Sequence, residues 1–192
     1  MNDIEKYYNN TEYGKPRKNV KYFIDEIKSE PGKATELGCG AGNDTVYLIK
    51  NNWNVIAIDK EDVKERISNR LNEKELEKFQ FQKQHFETLK LEKSNLIVAN
   101  YTIPFCNKDK FEPLWNKIKE NIVCGGYFVG NFFGINDEWK ESKDKMIFLT
   151  KDEVLELFKE FKIIKFKEVE KDLLNGLGKM KHWHIFNVIA KK

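Results

Sequence analysis

The sequence predicts an α/β fold: a doubly wound sandwich whose seven-stranded, mostly parallel sheet ends in an antiparallel strand and carries helices on both faces. Three observations predict it. Short apolar runs alternate with helix-period segments along most of the 192 residues, the pattern of strands joined by right-handed helical crossovers. Three alternate glycines, Gly38, Gly40 and Gly42, directly follow the first apolar run and its acid, Glu36. A second acid, Asp59, ends the next apolar run seventeen residues past Gly42.

Each element has its own signal. Val20, Phe23, Ile24 and Ile27 recur at helical spacing over residues 19–28, and Pro31-Gly32 then turns the chain. Residues 33–37 read as the first strand, 45–52 as a short helix and 53–58 as a buried second strand. Val63, Ile67 and Leu71 stand four apart among charges, predicting one surface helix over 61–78. Strands follow at 79–84 and 95–99, then a helix at 111–122 with Pro113 in its first turn, then a strand at 127–133 after Gly125-Gly126. Thr150 and Glu153 have capping-box spacing before a helix at 154–161. Residues 162–169 and 182–190 alternate strongly around a loop with Gly176 and Gly178, predicting a closing antiparallel hairpin.

Composition narrows the function. The length suits one domain over 1–192, with 1–30 as a helical N-terminal segment and 31–192 as the core. Thirty-four basic against 31 acidic side chains leave a net charge of +3 with the signs interleaved, so no basic patch for nucleic acid is expected. No run approaches a membrane span and the start lacks a signal-peptide pattern, so a cytoplasmic protein is expected, monomeric or homodimeric. Cys39, Cys106 and Cys124 form no CxxC pair; packed thiols rather than a disulfide or zinc site are expected.

The glycine turn and Asp59 together point to a nucleotide cofactor. In such a sheet the ligand sits beyond the carboxyl ends of the strands, where bare main chain can approach it and an acid on the neighbouring strand can accept ribose hydroxyls. A dinucleotide fingerprint needs a third glycine at position 43, which is Asn43. Glu36 also has no use beside a pyrophosphate, whereas it complements the ammonium and sulfonium of S-adenosylmethionine. That cofactor, with S-adenosylhomocysteine as product and no metal, is the expectation.

On these residues the chain resembles the class I S-adenosylmethionine-dependent methyltransferases, and among them the small single-domain tellurite-resistance and thiopurine methyltransferase groups. The blocks that carry the likeness are ELGCGAGNDT at 36–45, VIAID at 55–59, LIVANYTIPF at 96–105 and GGYFVGNFFG at 125–134. The resemblance implies a Rossmann-like sheet with the last strand inserted antiparallel between the fifth and sixth. It implies that Gly38, Cys39 and Gly40 meet the methionine part, with Gly42 completing the cofactor-binding turn, Asp44 and Thr45 at the helix start, Asp59 on the ribose and Lys60 flanking adenine. Where the family usually has an acid after strand three the chain has His85-Phe86, so Glu87 takes that role or Phe86 packs on the adenine. Tyr7, Tyr8 and Tyr13 fall in a segment that in similar enzymes folds over the cofactor; Tyr8 or Tyr13 either brings a hydroxyl near the sulfonium or only packs on a helix face.

A small-molecule methyl acceptor would then lie among the segments leaving the same sheet edge: 100–106, 132–139 and 182–184. Asn100 and Tyr101 leave the fourth strand, and Tyr101 either orients an acceptor or the cofactor, or only packs as a lid. His182 and His184 share one strand face while Trp183 takes the other. His182 is either a general base or a hydrogen-bonded rim histidine. A His-x-His metal site lacks a third ligand in sequence. The competing functions are a nucleic-acid or protein methyltransferase, against which stand the near-neutral charge and the missing Asn-Pro-Pro-aromatic turn, and a non-catalytic adenosylmethionine-binding module.

Overall fold

The computed structural model describes residues 3–192. One sheet holds seven strands: β1 Lys33–Leu37, β2 Asn54–Asp59, β3 Phe79–Lys83, β4 Ser94–Ala99, β5 Ile122–Phe133, β6 Lys162–Leu174 and β7 Met180–Lys191. Their order is β3-β2-β1-β4-β5-β7-β6. β1 to β5 run parallel, and β7 runs antiparallel to both β5 and β6. Strand order therefore reverses between β1 and β4, which opens a crevice beyond their carboxyl ends. Because β7 runs backwards, its first residues lie at that same edge.

Period-two alternation sends side chains to two cores. Leu96 and Val98 of β4 join Ala34, Val55 and Val129 against α2 (Lys18–Tyr22), its π-turn Phe23–Ile27, and α3 (Asn43–Lys50). Ile97 and Ala99 face the other way, toward Trp115 and Ile118 of α6 (Lys108–Asn121) and Val154 of α7 (Lys151–Leu157). Trp115 meets Phe128, Phe132 and Phe158 edge-on at 5.0–5.7 Å. The α7 start carries the expected reciprocal cap between Thr150 and Glu153.

Two local expectations need correction. The stretch 61–78 folds as two short helices, α4 (Lys64–Ser68) and α5 (Glu73–Leu76), because Asn72 accepts the Glu75 N–H and Glu75 reaches back to the Asn72 N–H. α6 begins at Lys108, so Pro113 lies inside it rather than in its first turn. Tyr7 and Tyr8 belong to a further helix, α1 (Asp3–Thr11), clamped to α4 by Arg66 pairing with Glu5 and Glu12. Among the described residues no helix is long and apolar enough to cross a membrane.

Candidate functional site

The turn after β1 holds Gly38 at φ +63°, Gly40 at +54° and Gly42 at +76°, a left-handed region that side chains disfavour. The glycines have different reasons. A Cβ on Gly38 would stand 2.1 Å from Thr102 Oγ1, and one on Gly42 would stand 2.3 Å from Ile67 Cγ1. Those two permit close packing within the fold. A Cβ on Gly40 would meet only the Tyr7 and Tyr8 rings, at 3.9 Å, so Gly40 is the turn's loosely covered main chain. Asp59 ends β2 beside it, its Oδ2 accepting the Gly40 N–H at 2.8 Å and its Oδ1 the Glu61 N–H at 3.1 Å. The Tyr8 hydroxyl lies 3.5 Å from Asp59 Oδ1.

Three carboxylates are buried around this turn: Glu36 and Asp44 are 4% exposed and Asp59 8%. Glu36 accepts the Thr45 hydroxyl. Asp44 accepts the Arg17 N–H at 2.6 Å and the Asn100 amide at 2.9 Å. Burial, and then the neighbouring charge of Asp44, hold the Glu36 carboxyl well above its usual range. Burial raises Asp44 as well, against the hydrogen bonds from Arg17 and Asn100. Among the described residues none of the three forms a salt bridge with a lysine or arginine. Buried carboxyls with no salt-bridge partner, opposed only by the more distant charge of Arg17, suit a cationic ligand and repel a pyrophosphate. Burial, Glu36 and Asp59 push the Cys39 thiol up, so it stays neutral.

Beyond β4 the chain turns at Tyr101, a non-glycine residue at φ +53°, whose N–H is held by Asn131 Oδ1 at 2.8 Å. The Tyr101 ring meets Trp183 edge-on at 5.7 Å and Phe133 at 6.1 Å, and the Arg17 guanidinium lies 4.5 Å from its centroid. Phe105 and Trp139 extend this aromatic set toward solvent. Beneath it Lys181, 1% exposed, pairs with Asp137 and stands 3.9 Å from the Trp183 centroid and 4.5 Å from that of Trp139. Burial lowers the Lys181 ammonium's pKa more than Asp137 raises it.

The structure thus brings together Tyr8, Glu36, Gly38, Cys39, Gly40, Gly42, Asp44, Asp59, Asn100 and Tyr101. Lys60 is exposed just past Asp59, and Phe86 and the exposed Glu87 form a short turn after β3. Tyr13 leaves the group: at φ +62° it is 76% exposed, with the Arg70 guanidinium 5.3 Å from its ring. His182 also stands apart. Alternation on β7 puts Trp183 against Tyr101 and turns His182 to the opposite face, with Nδ1 2.7 Å from Asp172 and Nε2 3.5 Å from Glu170. The hydrogen bond to Asp172 raises its pKa against desolvation, with Glu170 adding to the rise.

Glu168 and Glu170 supply the carboxylates that a His-x-His reading lacked, close to His184. The imidazole is already committed, however. Its Nδ1 accepts the Asn136 N–H at 3.2 Å, which puts the proton on Nε2, where it faces Glu168 at 3.0 Å as a donor rather than a free ligand lone pair. Cys106 is a packed thiol pushed up to about 11 by burial and by Glu87.

Sequence reasoning missed three features. Asn131 was signalled by a lone amide inside the apolar run YFVGNFF, Lys181–Asp137 by a lysine opening a buried strand, and Arg66 by nothing local. All three depend on partners far away in the chain.

The profile of the family described as tellurite resistance protein TehB matches residues 2–176. No curated protein matches in sequence. Among solved structures, TehB from Haemophilus influenzae superposes with a TM-score of 0.69 at 18% identity, covering 91% of this chain and 67% of that one. The 1,6-didemethyltoxoflavin-N1-methyltransferase of Burkholderia thailandensis, with bound 1,6-didemethyltoxoflavin and S-adenosylhomocysteine, gives 0.69 at 17% identity over 92% and 77%. The N-methyltransferase NodS of Bradyrhizobium japonicum, in complex with S-adenosylhomocysteine, gives 0.62 at 12% identity over 100% and 88%. At these identities the likeness is one of fold.

Proposed function

We propose that this chain, which belongs to the tellurite resistance protein TehB family and is an S-adenosylmethionine-dependent methyltransferase, methylates a small molecule held against the aromatic set around Tyr101. The observation that carries the site assignment is the burial of the Glu36 and Asp44 carboxyls, neither in a salt bridge among the described residues, beside the Gly38–Gly42 main chain.

When bound, S-adenosylmethionine supplies a methyl group on a sulfonium, whose departure as a thioether needs no protonation. The residues of this chain bind, orient and exclude water. Glu36 and Asp44 complement the positive charge, and Glu36 sheds the proton that burial otherwise makes it keep. Gly40 offers bare main chain. Asp59 has lone pairs left for ribose hydroxyls after accepting Gly40 and Glu61. Lys60, Phe86 and Glu87 flank the adenine side, and Cys39, Asn100 and Tyr101 the methionine side. α1 covers the turn with Tyr8. Because displacement at a sulfonium is governed by alignment, no side-chain base is required, and His182 on the far face supplies none.

The small size of the acceptor is supported by the ligand bound in the toxoflavin enzyme, by the half-exposed Phe105 beside the partly buried Trp139, and by the interleaved surface charge. The test is calorimetry with S-adenosylhomocysteine and with NAD, followed by transfer of labelled methyl to a panel of small heterocycles, amines, thiols and tellurite, with RNA and protein lysate as controls. Binding of the adenosyl compound alone and label on a small molecule are expected. Failure of S-adenosylhomocysteine to bind overturns the cofactor site, and label found only on RNA or protein overturns the acceptor class.

A further inference from the structure

Asn131 lies within the last apolar run of β5 and is 1% exposed. Its Oδ1 accepts the Tyr101 N–H at 2.8 Å. A backbone N–H can only donate, so this bond fixes which end of the amide is oxygen. Nδ2 therefore points elsewhere, and it is the one buried side-chain nitrogen or oxygen among the described residues that lacks a hydrogen-bond partner. Buried donors are rarely left dry, and each exception calls for a physical reason.

The neighbouring amides offer no such vacancy. Asn100 Nδ2 is spent on Asp44 at 2.9 Å and Asn19 Nδ2 on Asn100 Oδ1 at 2.6 Å. Gly130 pairs with Ala99, so Asn131 is level with Asn100 at the carboxyl edge of the sheet, on the strand face it shares with Phe133. The left-handed Tyr101 is bonded to the same amide. An unmade bond and a strained bulky residue at one point mark a place built for something other than stability.

Resting on the methyltransferase reading above, we infer that Asn131 is a specificity-determining residue whose Nδ2 is held for a neutral lone-pair atom of the methyl acceptor, a carbonyl oxygen or an unprotonated ring nitrogen. The donor is uncharged, and the buried Asp44 is bonded to Asn100, the residue level with Asn131 on the neighbouring strand, so a full negative charge is poorly served there. The surrounding rings of Tyr101, Phe133 and Trp183 suit a planar body for that acceptor.

The side-chain amide of Asn131 in 15N-labelled full-length protein provides the test, its resonance identified by its loss in Asn131→Asp. Asn131→Asp keeps an oxygen for the Tyr101 N–H and replaces the Nδ2 donor by a second, ionisable oxygen. Saturation with S-adenosylhomocysteine comes first and is checked by calorimetry; failure at that step overturns the cofactor site, a different result from failure below. Lumazine, a neutral fused ring with carbonyls and ring nitrogens, is then titrated, and tellurite in a parallel sample. The expected result is an Asn131 amide shift with lumazine and none with S-adenosylhomocysteine or tellurite. In Asn131→Asp, lumazine affinity is expected to fall at least tenfold, with S-adenosylhomocysteine affinity unchanged within twofold. A shift on S-adenosylhomocysteine alone, a shift only with tellurite, or no shift with any probe overturns the inference. The titration on the unaltered protein stands even where Asn131→Asp fails to fold.

Discussion

Replacing Glu36 by Gln separates what the site does for folding from what it does for binding. Gln keeps an oxygen for the Thr45 hydroxyl and removes the charge. Glu36 is buried and its carboxyl is raised by burial and by Asp44. In the free protein it must therefore either keep a proton at neutral pH or bear an unpaired charge. An unsatisfied buried group costs about 1–3 kcal/mol. Recovering only about 1 kcal/mol would raise Tm by about 2–4 °C in a chain of this size. Binding moves the other way: a buried charge-assisted bond to an ammonium is worth about 1.5–3 kcal/mol, and its loss weakens cofactor affinity roughly ten- to hundredfold. The pH dependence follows the same sign. A raised folded-state pKa means that the native chain holds protons the unfolded chain has released. Stability is then lost as pH climbs from the ordinary carboxylate value of 4.5 toward the raised one. Thermal scans between pH 4.5 and 8 should show wild-type Tm falling relative to Glu36→Gln, and S-adenosylhomocysteine stabilising wild type increasingly at the upper end. A variant that melts below wild type at every pH, or binds the ligand equally well in calorimetry, refutes the reasoning.

Asp59→Asn retains an oxygen for the Gly40 N–H but not the charged acceptor for a sugar, so calorimetry should show a ten- to hundredfold loss of S-adenosylhomocysteine affinity with the fold kept. Gly42→Ala combines left-handed strain of about 1–2 kcal/mol with overpacking on Ile67 of about 1–3, and urea denaturation should show a loss of about 2–5 kcal/mol. Gly40→Ala carries the strain alone, about 1–2 kcal/mol, yet should cost more cofactor affinity than stability; equal stability losses in the two variants would mean that Gly40, too, serves only packing.

The legible parts of this protein are those whose physics is local. A strand, a glycine turn and a helix start are written within residues 33–50, and Asp59 ends the strand that pairs beside it, so Glu36, the glycine turn and Asp59 could be placed from spacing, and Asp44 through the family resemblance. The alternation of 182–184 was equally legible, but alternation says that His182 and Trp183 face opposite ways, never which way is inward. That is decided by what covers each face, here Tyr101 and Phe133 on one side and the carboxylates of β6 on the other. Tyr8 and Tyr13 divide for a similar reason: five residues apart, one is turned onto Asp59 by α1 while the other leaves through a left-handed turn toward Arg70.

The same distinction explains why the acceptor side resists sequence reading. Asn131 with Tyr101 and Lys181 with Asp137 are partners 30 and 44 residues apart, joined only once β5 and β7 have taken their places at one edge of the sheet. A polar residue in an apolar strand is a signal that something must satisfy it. Which group does so is set by topology, and at Nδ2 of Asn131 the fold supplies none. On the proposed reading, cofactor recognition rests largely on residues 36–44 with Asp59 and acceptor recognition on the tertiary arrangement, so substitutions at 36–44 and at 131 should alter the two affinities independently.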